Sequence, residues 1–243
     1  MAESGDLAQF LSGADVGAEV FALRPDYRAM LLAVDGFVAG PSNDHSEALM
    51  GAAEKAAVEA IGGARPEELP HVEAWREAYR TFGAKPQRTR NSLEALLRRV
   101  SGGLPRVNGL TDIYNAISVL HQVPVGGEDL ASYVGAPRLV RATGDEVFAT
   151  VVDGMDAFEH PAPGEVVWCD DEGVTCRRWN WRQGSRTQLT EETTSALFIL
   201  DALAPMPDDA LRAATDDLIS QLERLGSDVR VAGRLLTGTA QQR

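Results

Sequence analysis

Asn108, Asp112 and Asn115 recur at i, i+4 and i+7, so on a helix their side chains stack along one face. Short polar side chains inside an otherwise apolar run (NGLTDIYNAISVL) are costly to bury unless each finds a partner. The spacing leaves two readings open. In the structural one, Asn108 is an N-cap, Asp112 anchors a neighbouring loop, and only Asn115 is left to explain. In the functional one, Asn115 points into a polar pocket. Gly126 and Gly127, in the Val-Gly-Gly-Glu-Asp that follows, would offer exposed backbone N–H groups and room for a ligand.

A second segment, VTCRRWNWR over residues 174–182, reads as a strand. Alternation then puts Arg177, Trp179 and Trp181 on one face and Cys176, Arg178, Asn180 and Arg182 on the other. A face with two arginines and an asparagine is either solvent-exposed or built to hold a carboxylate or phosphate. The tryptophan face is a surface cation–π stack, a platform for a base, or a pair of core anchors rimmed by arginine.

Familiar signatures are missing: there is no GxxxxGK[ST], no GxGxxG after a strand, no GxSxG, no HExxH and no EF-hand loop, so no cofactor is expected. His45, His71, His121 and His160 are far apart and lack metal-ligand spacing. The two cysteines, Cys169 and Cys176, suit adjacent strands of a reduced sheet. With 243 residues, 44% hydrophobic and 24% charged, the chain can bury a sizeable core without disulfides or metal. No apolar run approaches the roughly 18 residues of a membrane span. The acidic N-terminus lacks a signal-peptide pattern, so the expected compartment is the cytoplasm.

The net charge of −13 argues against DNA and anionic membranes. It is unevenly spread. Residues 76–106 carry eight basic side chains (Arg76, Arg80, Lys85, Arg88, Arg90, Arg98, Arg99 and Arg106) against Glu77 and Glu94. Residues 175–190 carry Arg177, Arg178, Arg182 and Arg186 and no acid. Such islands hint at a polyanionic partner, or are the solvated faces of their elements.

Hydrophobic periodicity supplies the elements that position these residues. A strand is expected within 26–38, with helices at 46–61, 70–82, 91–100, 110–122 and 207–225. Asn91 and Glu94 stand in capping-box spacing. Between 137 and 202 the period falls to two, and PRLVRA, EVFATVV, GEVVWCD, GVTCRRWNW and TTSALFILDAL read as strands. Helices early, strands late and a closing helix make one α+β domain over 1–225; residues 226–243 read as a loose tail.

The run Asn108-Gly109-Leu110-Thr111-Asp112-Ile113-Tyr114-Asn115, with Pro124 nine residues on and Asp129 beyond, resembles the B3/B4 domain of the phenylalanyl-tRNA synthetase beta subunit, here freestanding. That family carries N-x-x-V-D-x-T-N and then Pro in a Gly-x-Pro-like turn. The strand GVTCRRWNW, the run Thr190-Glu191-Glu192-Thr193 and the apolar strand SALFILDAL keep the family's order, and the likeness spans residues 70–205. It implies a single B3/B4-like α+β domain with layered mixed or antiparallel sheets and helices packed outside.

The activity implied is trans-acting editing: hydrolysis of the ester of a mischarged aminoacyl-tRNA. The implied partner is the aminoacylated acceptor end of tRNA. Carried over by residue, Asn115 matches a pocket asparagine and Tyr114 stands where the family has Thr. The family's pocket His falls on Gly126, and its pocket Glu near Ile199 or, with a small shift, Asp201. Asn115 and Asp201 are thus the catalytic candidates. Asn108, Tyr114, Gly126, Gly127, Arg178 and Asn180 are the pocket candidates, and Lys85, Arg88 and Arg90 the tRNA contacts. Two other readings stay open: a non-catalytic amino-acid or tRNA 3′-end binding module, and a small-metabolite enzyme reusing the pocket.

Overall fold

The apolar run SALFILDA forms β10 (Ser195–Ala202), and the fold is organised on its two faces. The structure is a computed structural model and describes residues 4–238. β10 pairs antiparallel with β2 (Arg28–Asp35) on one side and β3 (Val125–Asp129) on the other. β11 (Arg230–Thr237) adds to the outer edge of β2, giving the order β11-β2-β10-β3.

That last strand corrects the expectation of a loose tail from residue 226. Residues 230–237 match 35–28 of β2 position for position. The free edge of β2 presents unpaired N–H and C=O groups that a strand satisfies. β11 itself alternates weakly, with Gly233 and Arg234 at its centre, so its hydrophobic pattern does not announce it. Residues 239–243 of the expected tail lie outside the described residues.

A second sheet runs β1 (Asp15–Val16), β4 (Arg138–Arg141), β7 (Val166–Cys169), β8 (Val174–Arg177) and β9 (Arg182–Gln183), antiparallel except at β1–β4. β5 (Phe148–Val152) and β6 (Met155–Glu159) form a separate hairpin, and buried Phe148 packs it on Val167 and Val174. The inner faces of the two large sheets share one core: Leu31, Leu197 and Ile199 with Leu139, Val166 and Trp168. α1 (Ser4–Ser12) and α2 (Ala18–Leu23) add Leu7, Leu11 and Val20 to that core, and α4 (Pro70–Thr81) adds Trp75 and Tyr79.

The outer face of the β10 sheet is covered by α6 (Gly109–Leu120) and α7 (Asp208–Glu223) through Ile113, Ile117, Leu211, Leu218 and Leu222. α3 (Asp44–Ile61) and α5 (Ser92–Leu97) complete a third cluster around Met50, Leu93 and Val119. Helix ends follow their chemistry: Asn43 and Ser46 form the capping box of α3, and Gly62 closes it at φ +56°. Asn91 caps α5 from Glu94 N at 2.9 Å, but the Glu94 carboxylate turns to arginines instead of completing the expected capping box.

His71 ties α4 to the rest. Its Nδ1 lies 2.8 Å from Gln122 O, while Nε2 accepts from Leu203 N at 3.1 Å. Both ring nitrogens are thus committed to the backbone, and burial pushes the imidazole down to about 4.

The segment 174–182 is not one strand. Arg178 (φ +48°) and Trp179 (φ +69°) are left-handed, and the chain reverses so that Arg177 pairs with Arg182. A left-handed conformation at two non-glycine residues costs on the order of 1–2 kcal/mol each. Full burial of the Trp179 ring against Tyr27 and Trp75 offsets it. The two-face alternation expected there is therefore broken.

Candidate functional site

Between the two sheets, beside α5 and α6, a cavity of about 290 Å³ is lined by residues from every one of these elements. α6 supplies Tyr114 and Asn115, β3 supplies Gly126 and Glu128, and β10 supplies Ile199 and Asp201. Trp168, Cys176, the turn residues Trp179, Asn180 and Trp181, and Arg182 and Gln183 of β9 form the opposite wall. Gly126 faces Ile199 across the ladder, and a Cβ built on it meets nothing within 4 Å. A Cβ on Gly127 would strike Leu189 and Tyr114 at 2.8 Å. Gly126 thus leaves cavity space open, whereas Gly127 permits close packing.

Two carboxyl groups reach the cavity, each about 2% exposed. Asp201 accepts from the Tyr27 hydroxyl and, at 3.2 Å, from Asn180 Nδ2. Asn180 is itself oriented by Tyr79, whose hydroxyl donates to Oδ1 at 2.9 Å. Glu128 accepts from the Tyr133 hydroxyl. Burial pushes Asp201 up to about 7 against the lowering effect of Tyr27 and Asn180, with the Glu128 charge adding to the rise. Burial likewise raises Glu128 to about 7. Both groups therefore change protonation near neutrality, where a carboxyl group can take up or release a proton during a reaction.

Of the residues singled out from the sequence, Asn115, Tyr114, Gly126, Asn180 and Asp201 meet at this cavity. The remainder divide differently. Asn108 is the N-cap of α6, accepting from Thr111 N at 2.9 Å and donating to Leu189 O at 3.3 Å. Asp112 accepts from Val107 N at 2.9 Å and from the Ser42 hydroxyl. The structural reading of that stripe holds for these two, and Asn115 alone turns to the cavity. Gly126 and Gly127 are not a loop with free N–H groups: both lie in β3, paired with Ile199 and Phe198.

Arg178 is turned away from Asn180 by the left-handed turn. It bonds Thr89 and stacks over Trp181 at 4.4 Å. With Lys85 and Arg88 it lines a second cavity of about 310 Å³ on the far side of that turn. Arg90 is not there; it lies 3.5 Å from the buried Glu94. Glu128, Tyr27, Tyr79 and Tyr133 were not anticipated. Glu128, two residues after Gly126, shares its strand face, but only the pairing of β3 with β10 reveals that face.

The basic islands are largely neutralised from within. Arg177, Arg178, Arg182 and Arg186 all pair with Glu159, Glu165, Asp170 or Glu172. Arg76, Arg90 and Arg98 converge on Glu94, and Arg106 pairs with Glu47 and Glu54. Among the described residues, Arg80, Lys85, Arg88 and Arg99 are the members of the first island left without an acidic partner. Among those residues, too, there is no group of three or more His, Cys, Asp or Glu side chains placed to hold a metal, and no helix long and apolar enough to cross a membrane.

An α+β domain with an aromatic-walled cavity holding two carboxyl groups between two packed sheets is the class the geometry defines. The family model of the B3/4 domain matches residues 74–225, and the chain belongs to that family. It is similar to an N-terminal fragment of the phenylalanyl-tRNA synthetase beta subunit from Pyrococcus horikoshii, at 11% identity and a TM-score of 0.45. The match covers 90% of this chain and 49% of that one, so the chain spans about half its length. None of the curated proteins matches the chain.

Proposed function

We propose that the chain is a trans-acting editing hydrolase that cleaves the ester of a mischarged aminoacyl-tRNA in the cavity between the sheets. The observation that carries this reading is the meeting of Asn115, Asn180 and Asp201 at one cavity of about 290 Å³, a volume suited to an amino-acid side chain. Asp201 takes a proton from water as the water oxygen attacks the ester carbonyl. The amide of Asn115, with no side-chain partner among the described residues, donates to the developing oxyanion. The proton then passes to the departing ribose oxygen, leaving a free amino acid and an uncharged tRNA end. An aminoacyl ester is already activated, so orientation and oxyanion stabilisation suffice without a nucleophilic triad.

Lys85 and Arg88, exposed beside the second cavity, would meet the phosphates of the acceptor end. Arg90, turned to Glu94, supports that role less. A second reading, a small-metabolite enzyme or binder using the same cavity, is favoured by the internal pairing of all four arginines in 175–190.

The test is release of amino acid from a full panel of mischarged and correctly charged tRNAs at micromolar protein. At least one is expected to be deacylated, and Asn115→Ala is expected to slow release by about 100-fold, the size of one lost oxyanion donor. Flat release over the panel would overturn the hydrolase reading. Small-molecule turnover with no tRNA dependence would favour the second one.

A further inference from the structure

Glu128 is buried in a position that ordinarily requires a cation. Glu94, Glu165 and Asp170 are comparably buried, and each is held by an arginine: Arg76 at 2.7 Å, Arg177 at 2.8 Å and Arg186 at 2.7 Å. Asp112, buried with neutral donors, sits in the first turn of α6, where the helix dipole favours its charge. Glu128 has neither compensation. It lies in a strand, its side-chain partner is the neutral Tyr133 hydroxyl, and no ion pair reaches it among the described residues. A buried carboxylate without a counter-charge is costly. Glu165 also lines a cavity but is already paired with Arg177, whereas Glu128 meets its cavity with no counter-charge in contact, so a ligand can supply what the protein withholds.

The cavity walls favour the same kind of ligand. Trp168, Trp181 and Tyr114 line it together with Asp201, and aromatic rings beside carboxylates form a site for an organic ammonium.

We infer that Glu128 is the specificity residue of the pocket, and that it selects ligands bearing a primary ammonium group. This rests on the editing reading, in which that ammonium is the α-amino group of the aminoacyl ester. It also goes beyond that reading, because it explains how ester and product are told apart. The ester presents an ammonium beside a neutral carbonyl. After hydrolysis the same molecule carries a carboxylate next to Glu128 and Asp201, and like charges expel it.

The pH dependence follows from the groups around Glu128. Tyr133 lies against it, the charges of Asp170 and Arg186 act from the neighbouring sheet, and Asp201 and Cys176 share the cavity. Arg99 and Arg182 also line the cavity, and Arg182 is already paired with Glu159. Ammonium binding strengthens as pH rises from about 5.5 towards about 7, where Glu128 ionises, and weakens again above about 8, where an α-amino group loses its own proton.

The experiment measures binding to the full chain of three panels at about pH 7.2, where the α-amino group is still mostly protonated, and at about pH 5.5: L-amino-acid amides, their N-acetyl counterparts, and the free amino acids. At least one amide is expected to bind, with its N-acetyl form and free acid weaker by about tenfold or more. Glu128→Gln should remove the preference for amide over N-acetyl amide and weaken the pH dependence, of which Asp201 keeps a share, while leaving the fold intact by circular dichroism. The matching decarboxylated amines separate the two sources of the ammonium. Tighter binding of the amide assigns it to an aminoacyl group, and equal binding assigns it to a free amine; both support Glu128 as the ammonium holder. Equal affinity for amides and N-acetyl amides, undiminished preference in Glu128→Gln, or no binding across the panels would overturn it. Any of those results alongside measurable tRNA deacylation leaves the hydrolase reading standing, whereas amide binding without deacylation removes only that reading.

Discussion

On the outer face of β10, Ala196, Phe198 and Leu200 are fully buried against α6 and α7. On the inner face, Leu197 and Ile199 start a similar core, but the next residue in the alternation is Asp201 and the neighbouring strand offers Gly126 and Glu128. One strand thus carries a face closed by packing and a face where packing stops and a cavity begins. The closed face is specified by shape, so deleting atoms there costs stability. The open face keeps two poorly compensated carboxyl groups, so removing a charge there should stabilise the fold and damage function.

The largest effect expected from this contrast is on the closed face. Phe198→Ala removes a fully buried ring and should destabilise by about 3–5 kcal/mol in urea titrations. A loss below about 1 kcal/mol would mean that this face is less tightly packed than described.

On the open face, Glu128→Gln should act in the opposite direction. The Glu128 pKa rises from 4.5 to about 7 on folding, so its contribution to stability is fully present below pH 4.5 and is lost as pH climbs towards 7. Glutamine carries no charge. The variant should therefore match the wild type at pH 4 and exceed it by up to about 3 kcal/mol at pH 8. Urea midpoints at the two pH values check this; a variant equally or less stable at pH 8 would mean that Glu128 has a counter-charge in the free protein.

The same contrast explains what the sequence disclosed. Closed faces leave a periodic apolar trace, and α3, α4, α6, α7 and β10 were legible from it. Asn108 was legible as a cap because capping has a local signature. β11 was not, because its pairing answers a free edge on β2 nearly 200 residues away in sequence. The turn at Arg178 and Trp179 was hidden because tertiary burial of an indole overrides local backbone preference. Asn115 was legible from its place in a polar stripe on an apolar helix, while Tyr114 and Asp201 came through family resemblance. Glu128 did not, since a lone acid after Gly-Gly reads as loop until the strand pairing turns it inward. Nor did the sequence show that many of its basic side chains are matched by acids distant in the chain, such as Glu47, Glu54 and Glu159.

The most direct test fills the open face without touching a polar group. Gly126 has an ordinary strand backbone and free space at its Cβ, so Gly126→Ile should leave the urea midpoint near that of the wild type. The added side chain would occupy the cavity. The measurement is single-turnover release of amino acid from the mischarged tRNA that the wild-type protein deacylates fastest. A fall of about tenfold or more with stability unchanged is the predicted result, and undiminished release by Gly126→Ile would place the chemistry outside this cavity.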